Sequence, residues 1–228
     1  VCDDLEDADE PRVVGRRNGD ADLDDKSLGG FVPHDIAHAH PPADAVSRYS
    51  YTDPAWSRRE LLGMVEARID VVLPVYWGDR ESVVWSKPGL QNLVAAALQL
   101  SAEGVPPPRF GLFLDTASFA AQKGGTKPDL TESDGVALAY RMIKDYWTLV
   151  PRDLWALVDG RPLVFLYTAD FVRDYDQRTF DLIATFFARD FGVAPFIIRE
   201  STWEKVRTDG VYAWGVALGL DQVARLLN

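Results

Sequence analysis

Residues 69–78 read Ile-Asp-Val-Val-Leu-Pro-Val-Tyr-Trp-Gly. The run is apolar, β-branched at its start, and ends in two aromatics and a glycine. A stretch this apolar must be covered on both faces, as strands of parallel sheets are. Three later stretches repeat the pattern: 109–116 (Arg-Phe-Gly-Leu-Phe-Leu-Asp-Thr), 162–168 (Pro-Leu-Val-Phe-Leu-Tyr-Thr) and 195–200 (Pro-Phe-Ile-Ile-Arg-Glu). Each starts apolar and ends polar or aromatic. In parallel α/β sheets ligands bind at the carboxyl ends of the strands. Function is therefore expected at Tyr76, Trp77, Asp115, Tyr167 and Glu200. Pro74 removes a ladder donor inside the first of these strands, which predicts a bulge or an unpaired position there.

Helical periodicity fills the intervals. Asp53-Pro54 reads as an N-cap with proline in the first turn, followed by Leu61, Leu62, Val65 and Ile69. Pro88 opens a helix with Leu90, Leu93, Val94, Ala97 and Leu98 on one face. Residues 131–134 resemble a capping box, leading into Val136, Ala139, Tyr140, Ile143 and Trp147. Asp176 or Thr179 starts a helix that Gly192 ends. A weak first strand at 31–37, a short strand at 211–215 and a helix from Asp221 complete the reading. About ten residues separate the strands ending at 200 and starting at 211, so that unit has a degenerate helix or lacks its strand.

The order is βα repeated five or six times, with long loops after the strands at 78–87, 116–130 and 169–178. The expected fold is an α/β (β/α)8 barrel of the TIM type. It is incomplete, because eight strands take about 250 residues and some six βα units are present in the 228 residues here. Residues 1–30 carry ten acidic and four basic side chains and few large apolar ones. They are expected to form an acidic, disordered tail, with the partial barrel over 31–228. A calcium loop from Asp20, Asp22 and Asp24 fails, because the required glycine and glutamate positions hold Asp25 and Phe31.

The net charge of −11 argues against a nucleic-acid partner. No apolar run approaches the roughly 20 residues of a membrane helix. Cys2 is the only cysteine, which excludes an intrachain disulfide and leaves the compartment open. No signal peptide is visible, and the sequence begins at Val1. A secreted or periplasmic location is compatible with that.

Several segments resemble an uncharacterised family of glycoside-hydrolase-like (β/α)8 barrels. They are Tyr51-Thr-Asp-Pro-Ala-Trp56, Arg59-Glu-Leu-Leu and the run at 69–78. Gly111-Leu-Phe-Leu-Asp-Thr116, Trp155-Ala-Leu-Val-Asp-Gly-Arg-Pro162 and Asp209-Gly-Val-Tyr-Ala-Trp-Gly215 extend the match. The family is related in style to glycoside hydrolase families 71 and 99. The resemblance implies action on α-linked glucans or mannans. In those relatives an acidic pair lies in a late Trp-Asn-Glu segment, which this sequence lacks.

Glycosidic cleavage uses two carboxyl groups. Asp115, Asp170 and Glu200 are the acids near strand ends, with Asp115 and Glu200 the candidates for catalysis and Asp170 for binding. The alternative for each is a salt bridge, with Arg199 or Arg173 for example, or a helix cap. Tyr76, Trp77, Tyr167, Trp203 and Trp214 are candidates for stacking on sugar faces, against the alternative of packing in the core. No cofactor is expected. A metal-dependent hydrolase using His38 and His40 would need histidines from later strands, and His34 is the only other one. The readings are thus an oligo- or polysaccharide hydrolase, a non-catalytic carbohydrate-binding or scaffold domain, or, less favoured, the metallohydrolase.

Overall fold

A computed structural model of the chain describes residues 53–78 and 85–214. The chain divides into Val1–Ser50 and Tyr51–Asn228, and every described residue belongs to the second unit. The expectations for the acidic tail, the strand at 31–37, the three histidines and the helix from Asp221 fall outside the described residues.

Helix α1 is Pro54–Glu66, capped by Asp53, whose carboxylate accepts from Ala55 N at 2.9 Å. It stops before Ile69, which is 46% exposed. Strand β1, Val71–Val72, pairs in parallel with β2, Arg109–Phe110. Pro74 leaves the expected gap, and the structure fills it from outside the sheet. Gly111 N donates to Val72 O and Phe113 N to Pro74 O, so in this register the donor for Gly111 O would be the N–H that Pro74 lacks. The hydroxyl of Tyr146 donates to Gly111 O instead, at 2.7 Å. Pairing resumes at a Val75–Phe113 bridge.

Four further strands form one parallel ladder in chain order: β3 (Leu112–Leu114), β5 (Arg161–Leu166), β6 (Phe196–Glu200) and β7 (Gly210–Tyr212). A short β4, Leu157–Val158, turns back antiparallel onto the start of β5 through Asp159-Gly160. The four long runs of the sequence are thus neighbouring parallel strands, as a partial barrel of the TIM type requires. No closed barrel forms among the described residues.

Helices cover one face. Helix α2, Ser86–Ala102, begins two residues before Pro88 and buries Leu90, Val94, Ala97 and Leu100, while Leu98 is 44% exposed. A short α3, Ala117–Gln122, follows β3. Helix α4, Ser133–Leu149, starts at Glu132 without a side-chain cap. The expected capping box is replaced by Asp129, which accepts from Thr131 N and Oγ1. The cause is close packing. A Cβ on Gly135 would lie 1.9 Å from Asp129 O, so the loop rests against the first helical turn and only glycine fits. Helix α5, Gln177–Phe191, is capped by Asp176 through Thr179 N at 2.9 Å and ends at Gly192. Phe110, Leu112, Leu114, Val164, Leu166 and Ile197 on this face of the sheet are buried in the core.

Residues 201–209 carry no helix. This is the degenerate unit the spacing predicted. Trp203 and Val206 plug the crossing at 1% and 2% exposure. Asp209 brackets the strand starts. Its carboxylate takes both terminal nitrogens of Arg161 at 2.6 and 2.8 Å and the N–H of Ile197 at 2.8 Å.

Candidate functional site

Strand side chains alternate between faces, and the register decides which converge. Phe113 pairs with Val75 and Phe165, Phe165 with Ile198, and Glu200 with Tyr212. Two residues further along each strand, Trp77, Asp115, Tyr167 and Glu200 therefore share the face without helices. Tyr76 has the opposite parity. It is 1% exposed, its ring 5.8 Å from and edge-on to Tyr146, so it packs in the core rather than in a cleft.

Trp77 is held at three points. Its N–H donates to Ser86 Oγ at 2.8 Å, its carbonyl accepts from Gln122 Nε2 at 2.9 Å, and its indole N–H donates to Asp115 Oδ2 at 2.9 Å. Gly78 makes this possible. Its φ is +86°, and a Cβ there would lie 2.7 Å from Gln122 Nε2. The other oxygen of Asp115 accepts from Ala117 N at 3.0 Å and starts α3. Burial pushes the Asp115 carboxyl above its ordinary value despite these two hydrogen bonds, which act the other way.

Glu200 is 3% exposed. Ser201 Oγ donates to one oxygen at 2.6 Å, and Thr202 N and Oγ1 donate to the other at 2.7 and 2.5 Å. Burial opposes its charge, but these donors together outweigh burial and hold the carboxyl below its ordinary value. Two acids on one face are thus biased in opposite directions.

Tyr167 lies between the rings of Phe113, Phe171 and Trp214, at 5.9, 6.5 and 5.6 Å. Trp214 is 53% exposed and stands at the open edge. Trp203 is buried, edge-on to Tyr175 at 4.6 Å and Phe180 at 5.5 Å, with its indole N–H donated to Tyr167 O. It supports the rim from below and offers no face to a ligand. Asp170 is exposed and accepts from Thr168 Oγ1 at 2.8 Å, closing a 3-10 turn. Thr168 Oγ1 is in turn 3.1 Å from Thr202 Oγ1.

Tyr212 was not among the sequence candidates. Its hydroxyl donates to Leu166 O at 3.0 Å. Burial pushes the phenol well up, and the neighbouring carboxylates of Glu200 and Asp115 add to it. Tyr212 pairs with Glu200 across the β6–β7 seam, and its ring lies 5.3 Å from that of Phe165 on the same face. Its parity with Trp214 was the available signal. Ser86 and Gln122 carried none, because they act through the backbone of Trp77. Among the described residues no group of three or more His, Cys, Asp and Glu side chains could hold a metal, and no helix is long and apolar enough to cross a membrane.

A helix-covered parallel sheet in chain order, with acids and aromatics at the carboxyl ends of its strands, has the glycoside-hydrolase-like fold. A solved structure described as a glycoside hydrolase-like protein superposes with a TM-score of 0.54 at 11% identity, over 68% of this chain and 46% of the other. The chain thus spans less than half the length of that neighbour. It belongs to the family described as Domain of unknown function (DUF5010), which matches residues 44–228. No curated protein matches it.

Proposed function

We propose that the rim formed by Trp77, Asp115, Tyr167 and Glu200 binds an α-linked oligo- or polysaccharide, a glucan or mannan, and that Asp115 serves as the proton donor to a glycosidic oxygen. The observation that carries this reading is the pairing of Trp77 and Asp115 at the ends of neighbouring strands. The Trp77 indole, its ring 5.9 Å from that of Trp85, donates to a carboxyl group that burial biases toward its protonated form. Carboxyl groups whose environments push them apart are the usual way to divide acid and base roles. Glu200, kept charged on the same face, is the partner carboxylate. Two inter-strand steps of about 4.8 Å separate their strands. That puts the backbones about 10 Å apart. The glycoside hydrolase-like solved neighbour, and the resemblance to glycoside hydrolase families 71 and 99, support the same class.

One observation favours a second reading. Both oxygens of Glu200 are engaged by Ser201 and Thr202, which suits a carboxylate that shapes the rim of a non-catalytic carbohydrate-binding domain. Calorimetric binding of α-glucan and α-mannan oligosaccharides, with reducing-end release measured in parallel, tests both. The variants are Asp115→Asn, Glu200→Gln and Trp77→Ala, each checked by thermal melting. Loss of hydrolysis with retained binding in Asp115→Asn supports the enzyme. Binding without hydrolysis in the wild type supports the second reading. Wild-type behaviour of all three variants toward a sugar that binds would show that the cleft lies elsewhere.

A further inference from the structure

Resting on the reading of Glu200 as the partner carboxylate, we infer that Asp170 is the solvent end of a proton relay that loads and unloads Glu200 through the hydroxyls of Thr202 and Thr168. The four side chains form one line. Thr202 Oγ1 lies 2.5 Å from Glu200 Oε2 and 3.1 Å from Thr168 Oγ1, and Thr168 Oγ1 lies 2.8 Å from Asp170 Oδ2. Glu200 at one end is buried, and Asp170 at the other is exposed.

Counting protons shows what the line can carry. It has three hydrogen-bond positions and two hydroxyl protons. With both carboxylates charged, Thr202 donates to Glu200 and Thr168 to Asp170, and the two hydroxyl oxygens face each other with no proton between them. One added proton completes the line. Placed on Asp170, it lets Asp170 donate to Thr168, Thr168 to Thr202 and Thr202 to Glu200. Placed on Glu200 Oε2, it reverses all three donations. Passage from the second state to the first breaks the Glu200 O–H bond, moves one proton across each hydroxyl and forms an O–H bond on Asp170. Protons and charge are conserved.

Water has no place on either hydroxyl. A hydroxyl donates once and accepts twice. Thr202 Oγ1 also accepts from Ala169 N at 2.8 Å, and Thr168 Oγ1 from Asp170 N at 3.2 Å, so each oxygen has its three partners. Thr116 Oγ1, donating to Thr168 O, and the Tyr175 hydroxyl, donating to Thr202 O at 2.9 Å, pin the two turns. Other ionisable neighbours stand off the line. Tyr212 faces Glu200 across the β6–β7 seam with its hydroxyl on Leu166 O. Arg199 gives its guanidinium to Glu200 O and Ser201 O rather than to the carboxylate.

The test is carbon NMR titration of the Glu200 carboxyl in the wild type, Asp170→Asn, Thr168→Val and Thr168→Ser, each checked by thermal melting. A charged Asp170 accepts at the far end of the line and so favours the protonated form of Glu200. Removing that acceptor or cutting the line should lower the Glu200 midpoint by about one pH unit, the strength at which two groups titrate as a pair. Thr168→Ser keeps the hydroxyl and should stay with the wild type. The Asp170 charge remains in Thr168→Val, so an unmoved midpoint there overturns the relay, even where Asp170→Asn moves it through space. A fall in Thr168→Ser equal to that in Thr168→Val assigns the effect to the turn and overturns the relay as well. The titration needs no sugar, so the two readings fail separately. An unmoved midpoint beside hydrolysis that depends on Asp115 removes the relay alone. The expected shifts in a protein that binds no α-glucan or α-mannan oligosaccharide support the relay and remove the carbohydrate reading.

Discussion

Tyr146→Phe removes one oxygen from the core and leaves Gly111 O facing a proline. The ring is fully buried, edge-packed against Tyr76 and Trp147, and phenylalanine keeps those contacts. What changes is a buried carbonyl that loses its donor, at a cost of about 1–3 kcal/mol. For a unit of this size each kcal/mol moves the melting point by about 2–4 °C, so a fall of about 2–12 °C is expected. Burial holds the Tyr146 phenol well above its ordinary value, which keeps it a donor at any working pH. Pro74→Ala supplies the informative comparison, because it restores the N–H that faces Gly111 O. Alone it changes stability little: the new ladder bond offsets about 0.4–1 kcal/mol of proline's effect on the unfolded chain. In that background Tyr146→Phe should cost at least about 1 kcal/mol less than in the wild type, a coupling readable in a double-mutant cycle by urea unfolding. Equal costs in the two backgrounds would refute the substitution of the hydroxyl for the missing amide.

Gly135→Ala should destabilise by about 3 kcal/mol, because the new methyl meets backbone at 1.9 Å rather than a movable side chain; a melting point within 2 °C of wild type, roughly 1 kcal/mol or less, would contradict this. Glu200 has its carboxyl held below the ordinary value in the fold, so its stabilisation is present above the ordinary glutamate range and is lost as pH falls through the folded value. The melting-point gap between wild type and Glu200→Gln should therefore narrow on acidification, and a gap constant with pH would rule the linkage out. Asp115 has the opposite sign: the fold favours its protonated form, and that contribution fades as pH rises through the folded value. Trp77→Phe deletes a donor that favours the Asp115 carboxylate, so an NMR titration of that carboxyl should move further up; no movement, or movement downward, would show the indole bond to be unimportant.

The barrel-like sheet was readable because its strands are apolar on both faces and its helices keep a single stripe. Candidate site residues were readable only as far as strand parity was applied. Tyr76 and Trp77 are adjacent, so one of them had to face the helices, and the register makes it Tyr76. Trp203 follows Glu200 by three residues and looked like rim. The turn fixed by Thr202 on the Glu200 carboxylate swings it inward against Tyr175 and Phe180. Nothing local to Trp203 encodes that, because the glutamate does the work. The capping box at 131–134 failed for a similar reason. The contact between Gly135 and Asp129 overrode a local motif.

The helix-free crossing between β6 and β7 has a kinetic consequence. Ile198 pairs with Gly210 across twelve residues, whereas Leu112 pairs with Val164 across fifty-two. Closing the shorter loop costs about 1.3 kcal/mol less chain entropy. Pairings that close short loops form early when a domain assembles. Strands β6 and β7, clamped by Asp209, are therefore the first of the parallel pairings to close. The Trp77–Asp115 contact spans thirty-eight residues and the Leu112–Val164 pairing fifty-two, so the seam between β3 and β5 is the last to close.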